Sequence, residues 1–166
     1  MSFQADKIRS SDRNHGGNEA PDDDRQEQGF VTLILGGQLC GVPVLAVREV
    51  ITNSKIVRVP LAPPEIAGNI NLRGRVVTTI DTRCRLGLEP AADTADCVAL
   101  VAEHEGVLYA LLIDQVQDVL SLRVDMIEET PPNFSPTWRE FSNGVFRLPN
   151  HLMVVLDIGR LLALPT

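Results

Sequence analysis

The segment GQLCGVPVLAVREVI, Gly37–Ile51, returns as GVLYALLIDQVQDVL, Gly106–Leu120, an offset of 69 positions (37 to 106). Four pairs are identical: Gly37/Gly106, Leu39/Leu108, Val47/Val116 and Val50/Val119. Gly41/Ala110, Val44/Ile113, Glu49/Asp118 and Ile51/Leu120 are conservative pairs. A second block, Gly68–Leu88, returns as Gly144–Leu164 at an offset of 76 (68 to 144), with Gly68/Gly144, Leu72/Leu148, Asp81/Asp157 and Leu88/Leu164 identical. The extra length falls in the second of two connectors, each marked by a Pro-Pro pair, Pro63-Pro64 and Pro131-Pro132. Two matched blocks in the same order predict an internal duplication, with two similar β-units at about 30–95 and 96–166. Units of about 65 residues bury little surface alone, so the two are expected to pack along a shared apolar seam. Asp81 and Asp157 hold the same place in both copies. They are read as caps of a turn or helix rather than as catalytic acids.

The texture between the repeats is that of short strands. FVTLIL runs into Gly36-Gly37, a hairpin signal. SKIVRVP, VLYALLIDQVQDVLSL, NGVFRL and HLMVVLD follow, punctuated by Gly and Pro. This pattern predicts an all-β barrel or sandwich. Only the closing DIGRLLAL reads as helical, with Asp157 as its N-cap. Hydrophobic residues make up 44% of the chain but aromatics only 4%, so the core must be mostly aliphatic. Trp138 and Phe141 are expected to plug it, and PPEIAG to serve as a connector. Residues 1–29 are polar and nearly free of large apolar groups, which predicts a disordered tail with a solvated Asp22–Asp24 run.

The chemical inventory is sparse. A net charge of −7 argues against binding nucleic acid through general attraction. Cys40, Cys84 and Cys97 are odd in number and lack CxxC spacing, as expected of buried thiols in a reducing compartment. No signal-peptide core and no membrane-length apolar run is found, so a cytoplasmic protein is expected. His15, His104 and His151 have no ligand partner at zinc spacing, and no metal or cofactor is expected. Phosphate-binding loops, nucleophile elbows and Cys-His pairs are absent from the sequence. Glu128-Glu129 reads as a solvated turn.

Contact residues remain. Arg73-Gly74 in the first copy faces Pro149-Asn150 in the second, so the fold does not require an Arg at that turn. Arg73 is either an ordinary solvated turn residue or a guanidinium held rigidly and paired with Glu49. Residues 30–95 hold seven cations against five acids, and 96–166 hold four against ten. That split suits two different contact faces.

VREVI, VPLAPPEIAGNINLRG, VVTTIDTRCRLG, LLIDQVQDVLSL and LMVVLDIGRLL together resemble the CheW family, the coupling proteins of bacterial chemotaxis, from Phe30 to Leu164. The resemblance implies a mostly β fold of two intertwined five-stranded SH3-like barrels with a short C-terminal helix. It implies a non-enzymatic adaptor that joins the cytoplasmic tip of chemoreceptors to the regulatory domain of the histidine kinase CheA, recruited from the cytoplasm to membrane-associated arrays. No kinase or receiver segment is attached, so a stand-alone coupler is expected. Carried over residue by residue, the receptor contact falls on Val47, Glu49, Asn71, Leu72, Arg73 and Gly74, in a groove between the barrels. The kinase contact is placed near apolar strand positions of the first barrel, including Leu39 and Ile56. The family usually reads Pro-Val-Ile-Asp-Leu-Arg where this chain has Thr78-Thr79-Ile80-Asp81-Thr82-Arg83, which makes one strand face more polar. Ala110 stands where a Gly is common and adds a methyl near the groove. A coupler of a non-motility pathway and a ligand-binding β-barrel module are the competing readings. The second of these would show a cavity with convergent polar groups. A small hydrolase would need a nucleophile-base pair, which the sequence lacks.

Overall fold

The computed structural model describes residues 27–53, 55–91 and 97–163. Ten strands follow one another: β1 Glu27–Leu35, β2 Gln38–Pro43, β3 Val47–Thr52, β4 Ile66–Leu72, β5 Arg75–Asp81, β6 Val98–His104, β7 Val107–Ile113, β8 Gln115–Arg123, β9 Ser142–Arg147 and β10 Leu152–Leu156. They form two five-stranded sheets, β8-β1-β2-β10-β9 and β3-β6-β7-β5-β4. Exchanging β1–β5 with β6–β10 turns one order into the other, so the sequence repeat is a structural one. Each sheet draws on both halves of the chain. The halves 30–95 and 96–166 are repeats of sequence, and neither closes a sheet by itself.

The interleaving follows from two crossings. A 3-10 turn, Val44–Ala46, carries the chain from β2 in the first sheet to β3 in the second. Asp114 carries it back from β7 to β8. Parallel ladders then join the halves: Cys40 and Gly41 of β2 pair with Val154 and Val155 of β10, and Tyr109 and Ala110 of β7 pair with Thr78 and Thr79 of β5. These registers correspond at the repeat offsets.

Strands buried on both faces explain the near-continuous apolar runs. On β7, Leu111 and Ile113 enter a central cluster shared by both sheets, with Leu33, Leu35, Ile80 and Leu156. Ala110 and Leu112 enter a cluster private to the second sheet, with Ile70, Leu72 and Val77. The first sheet keeps its own cluster of Phe30, Met153 and Val155. Ala110 is fully buried and does not line a groove. The extra threonine polarity also points inward: Thr79 and Thr82 are fully buried, and their hydroxyls have no hydrogen-bond partner.

Asp81 and Asp157 cap helices. Asp81 accepts from the Cys84 backbone N–H at 3.1 Å and starts α1, Thr82–Arg85. Asp157 accepts from the Arg160 N–H at 3.1 Å and starts the expected C-terminal helix, Ile158–Leu162. α1 and a second short helix, α2 at Pro136–Glu140, go beyond the single helix read from sequence. Each lasts about one turn, too short for an apolar period to show; the C-terminal helix is α3. Phe141 lies in the central cluster with Trp138 packed against it. Residues 27–29, assigned to the tail, are instead paired with Arg123, Leu122 and Ser121 of β8. Residues 1–26, with His15 and Asp22–Asp24, lie outside the described residues.

The repeated Gly68 and Gly144 have one cause. Val57 and Asn69 exchange backbone hydrogen bonds of 2.8 Å, as do Glu128 and Val145. These bridges bring a carbonyl onto each glycine. A Cβ on Gly144 would lie 2.6 Å from the Glu128 oxygen, and one on Gly68 would collide with the Val57 oxygen. Their φ values, +132° and +148°, also disfavour any side chain.

One polar tie spans the sheets. Arg83 of α1 grips Asp114 with two 2.8 Å bonds, and Asp114 also accepts from the Gly36 N–H in the β1–β2 turn at 2.9 Å. Arg83 reaches the Glu89 carbonyl at 2.7 Å as well. The Arg83 hydrogen bonds, aided by Gly36, hold the Asp114 carboxyl below its ordinary range against the opposing effect of burial. Arg85 of α1 donates to the carbonyls of Leu161 at 3.0 Å and Arg160 at 2.7 Å, and stacks 4.6 Å above the Phe141 ring.

Three outcomes follow for stability, each readable by urea unfolding. Gly144→Ala is expected to lose about 2 kcal/mol or more through backbone strain. Thr79→Val, which removes an unpartnered buried hydroxyl at constant shape, is expected to gain about 1 kcal/mol. Asp114→Asn is expected to lose about 2 kcal/mol at pH 7, between the values for exposed and fully buried pairs. Because the folded carboxyl titrates below its unfolded value of about 3.9, the stabilisation is full above that pH and fades as pH falls through the folded value. The gap between wild type and Asp114→Asn should therefore close on acidification.

Candidate functional site

The β4–β5 hairpin presents a hydrogen-bonded polar group on the surface. Its two-residue turn is Arg73-Gly74, with φ of +51° and +84°, the mirror-image turn that fits strand twist. Gly takes that conformation readily, but Arg does so at a cost of about 1 kcal/mol. Asn71 stabilises the turn by accepting from the Gly74 N–H at 2.7 Å. Arg73 then extends to β3, where its Nη2 donates to both carboxylate oxygens of Glu49 at 2.8 Å. β3 and β4 are the two edges of their sheet, so this pair and the Val57–Asn69 bridge draw those edges together.

The six residues carried over as a receptor contact are not equivalent. Glu49, Asn71, Arg73 and Gly74 form one surface, on which the Arg73 side chain is 71% exposed and that of Glu49 32%. Val47 starts the same strand as Glu49 but leans on the central cluster. Leu72 is buried in the cluster of the second sheet and anchors the hairpin from below. Leu39 and Ile56 are not brought together. Leu39 packs against the cluster of the first sheet and Ile56 against that of the second.

The inter-sheet tie of Arg83 and Asp114 escaped the sequence reading, although Arg83 stands in the ID-x-R motif. Its repeat counterparts, Gly159 and Leu45, carry no charge, and that asymmetry was the available signal. Glu128 pairs with Arg147 at 2.9 Å, and His104 approaches Glu105 at 3.8 Å. Cys40, Cys84 and Cys97 form no disulfide with one another; burial pushes the Cys40 thiol far up and that of Cys84 up. Among the described residues, no group of three or more His, Cys, Asp or Glu is placed to hold a metal ion. No helix among them is long and apolar enough to cross a membrane. A cleft of about 460 Å³ lies beside the first Pro-rich connector, and Arg58 and Asp81 are its charged lining residues. They do not form a convergent polar set of the kind a small-molecule site needs.

The arrangement can hold a partner by shape and charge. Known proteins share the fold. A crystal structure of the scaffolding protein TtCheW from Thermoanaerobacter tengcongensis superposes with a TM-score of 0.74 at 26% identity, covering 82% of this chain and 93% of that one. A probable chemotaxis protein CheW of Rhizobium etli is 31% identical over 132 residues, 80% of this chain and 85% of its own. A chemotaxis protein CheW of Rhizobium meliloti is 32% identical over 129 residues, 78% of this chain and 83% of its own. The protein PilI of Pseudomonas aeruginosa is 29% identical over 112 residues, 68% of this chain and 63% of its own. The CheW-like domain pattern matches residues 29–165, and the chain belongs to that family.

Proposed function

We propose that this chain is a non-enzymatic adaptor that couples the cytoplasmic tip of chemoreceptors to the regulatory domain of the histidine kinase CheA. The observation that carries the reading is the Arg73–Glu49 pair. An exposed ion pair contributes at most about 1 kcal/mol, which the left-handed Arg offsets. Fold stability therefore does not account for it. A guanidinium fixed at a hairpin tip does suit a protein contact, because little of its side-chain freedom remains to be lost on binding. The receptor-facing surface in this reading is Glu49, Asn71, Arg73 and Gly74, with Val47 and Leu72 supporting it from beneath. Leu39 and Ile56 mark apolar positions toward the kinase, one on each barrel.

Such a role needs no catalytic group and no cofactor. A rigid body with two faces raises local concentration and biases a partner toward the conformation it binds better. The protein works in the cytoplasm and joins membrane-associated arrays through the receptor. The likeness to PilI, a relative not named for chemotaxis, favours one second reading: the same coupling physics in a pathway with another output.

Arg73→Ala and Glu49→Ala are each expected to weaken binding to a receptor cytoplasmic fragment roughly tenfold, with melting temperature nearly unchanged. Reversal of either charge should weaken it more. Isothermal titration with the purified variants checks this; unaltered affinity in both alanine variants contradicts the reading.

A further inference from the structure

Asp118 lies on β8, an edge strand of the first sheet, where the repeat places Glu49 on edge strand β3 of the second. The backbones correspond. The β3–β6 pairing shifts register between Val47 and Glu49, and the β1–β8 pairing shifts opposite Thr32, beside Asp118. The Thr32 hydroxyl pins this second bulge, accepting from the Asp118 N–H at 2.9 Å and donating to the Asp118 carbonyl at 3.0 Å. The Asp118 carboxylate takes no part in those bonds.

The two acids differ in what they meet. Glu49 receives both bonds from Arg73. The counterpart of Arg73 is Pro149, which offers no cation, and Asp118 Oδ1 is buried without a hydrogen-bond partner. A buried carboxylate oxygen lacking a donor destabilises the protein that carries it. Gln115, Gln117 and Val119 are exposed, so this edge strand has surface open to a partner beside the half-buried Asp118. The surrounding half of the chain is the acidic one, with ten acids against four arginines.

We infer that Asp118 accepts a basic side chain, a guanidinium or ammonium, supplied in trans by the receptor tip, in the way Arg73 serves Glu49 in cis. Oδ1 itself is buried, so the incoming donor meets the carboxylate at its other oxygen, Oδ2. The receptor is the assigned source because the twin acid, Glu49, belongs to the surface assigned to the receptor above, and the inference rests on that reading.

The test uses the full chain and a receptor cytoplasmic fragment. Asp118→Asn is expected to bind about fivefold to tenfold more weakly, with a smaller dependence on salt, while its melting temperature stays level or rises. Pro149→Arg combined with Asn150→Gly copies the Arg-Gly turn and offers Asp118 a partner in cis. It is expected to raise the melting temperature and weaken receptor binding, and the thermal gain should vanish when Asp118→Asn is added. Wild-type affinity in Asp118→Asn overturns the inference and leaves the coupling role standing. A lowered melting temperature alongside weaker binding overturns it too, since a structural acid behaves that way. Weakened binding to the kinase regulatory domain, with receptor binding intact, overturns the assigned source. If the wild-type chain itself fails to bind the receptor fragment, the coupling reading falls first and carries the inference with it.

Discussion

The parallel pairing of β2 with β10, and of β7 with β5, is the constraint on which the molecule depends. Each ladder joins a strand from one half of the chain to a strand from the other. Parallel neighbours need a crossover connection, and here it runs from Asp81 to Val107 for one ladder and from Pro43 to Leu152 for the other. The central cluster takes residues from both halves of the chain: Leu33 and Leu35 from β1, Leu111 and Ile113 from β7, and Leu156 from β10. The result is a scaffold in which the surface around Glu49 and that around Asp118 are fixed relative to each other by shared core rather than by a flexible linker. An adaptor needs that property if it is to transmit a bias between two partners.

The duplication separates what the fold requires from what each face has acquired. Gly68/Gly144 and Asp81/Asp157 are kept in both copies because close carbonyls and helix starts recur at both places. Arg73, Arg83 and Asp114 have no charged counterparts, facing Pro149, Gly159 and Leu45. The inter-sheet tie therefore exists on one side of the pseudo-two-fold relation only. The opposite crossing instead leaves Leu45 84% exposed. Interior packing diverged as well: Gly41 leaves room for Met153, while its counterpart Ala110 sits in a cluster with the smaller Val77.

Much of this was legible in the sequence. The all-β class, the Gly36-Gly37 turn, the aspartate caps and the aliphatic core followed from period, punctuation and composition, while the count of five strands per barrel entered through family resemblance. The residue pattern allows Arg73 either a solvated turn or a pairing with Glu49, and the structure shows the pairing. The interleaving of the two halves was not in the residue pattern, because a repeat offset gives no information on which strands hydrogen-bond; it entered through family resemblance. Leu72 is buried beneath the hairpin, since the one-letter pattern NLRG does not say which residue of a hairpin points inward. Thr78-Thr79 makes one strand face more polar, and ordinary alternation puts Thr79 beside Val77 on a buried face. Arg83 and Asp114 are 31 positions apart and meet only because α1 and the β7–β8 crossing share a junction.

The central claim is that neither half is a folding unit and that both sheets need strands from each. Amide NMR of the separate segments 27–91 and 97–163, alone and mixed in equal amounts, tests it most directly. The account predicts narrow, undispersed spectra for each segment alone and a dispersed β-sheet spectrum on mixing. A dispersed spectrum from either segment by itself would contradict it.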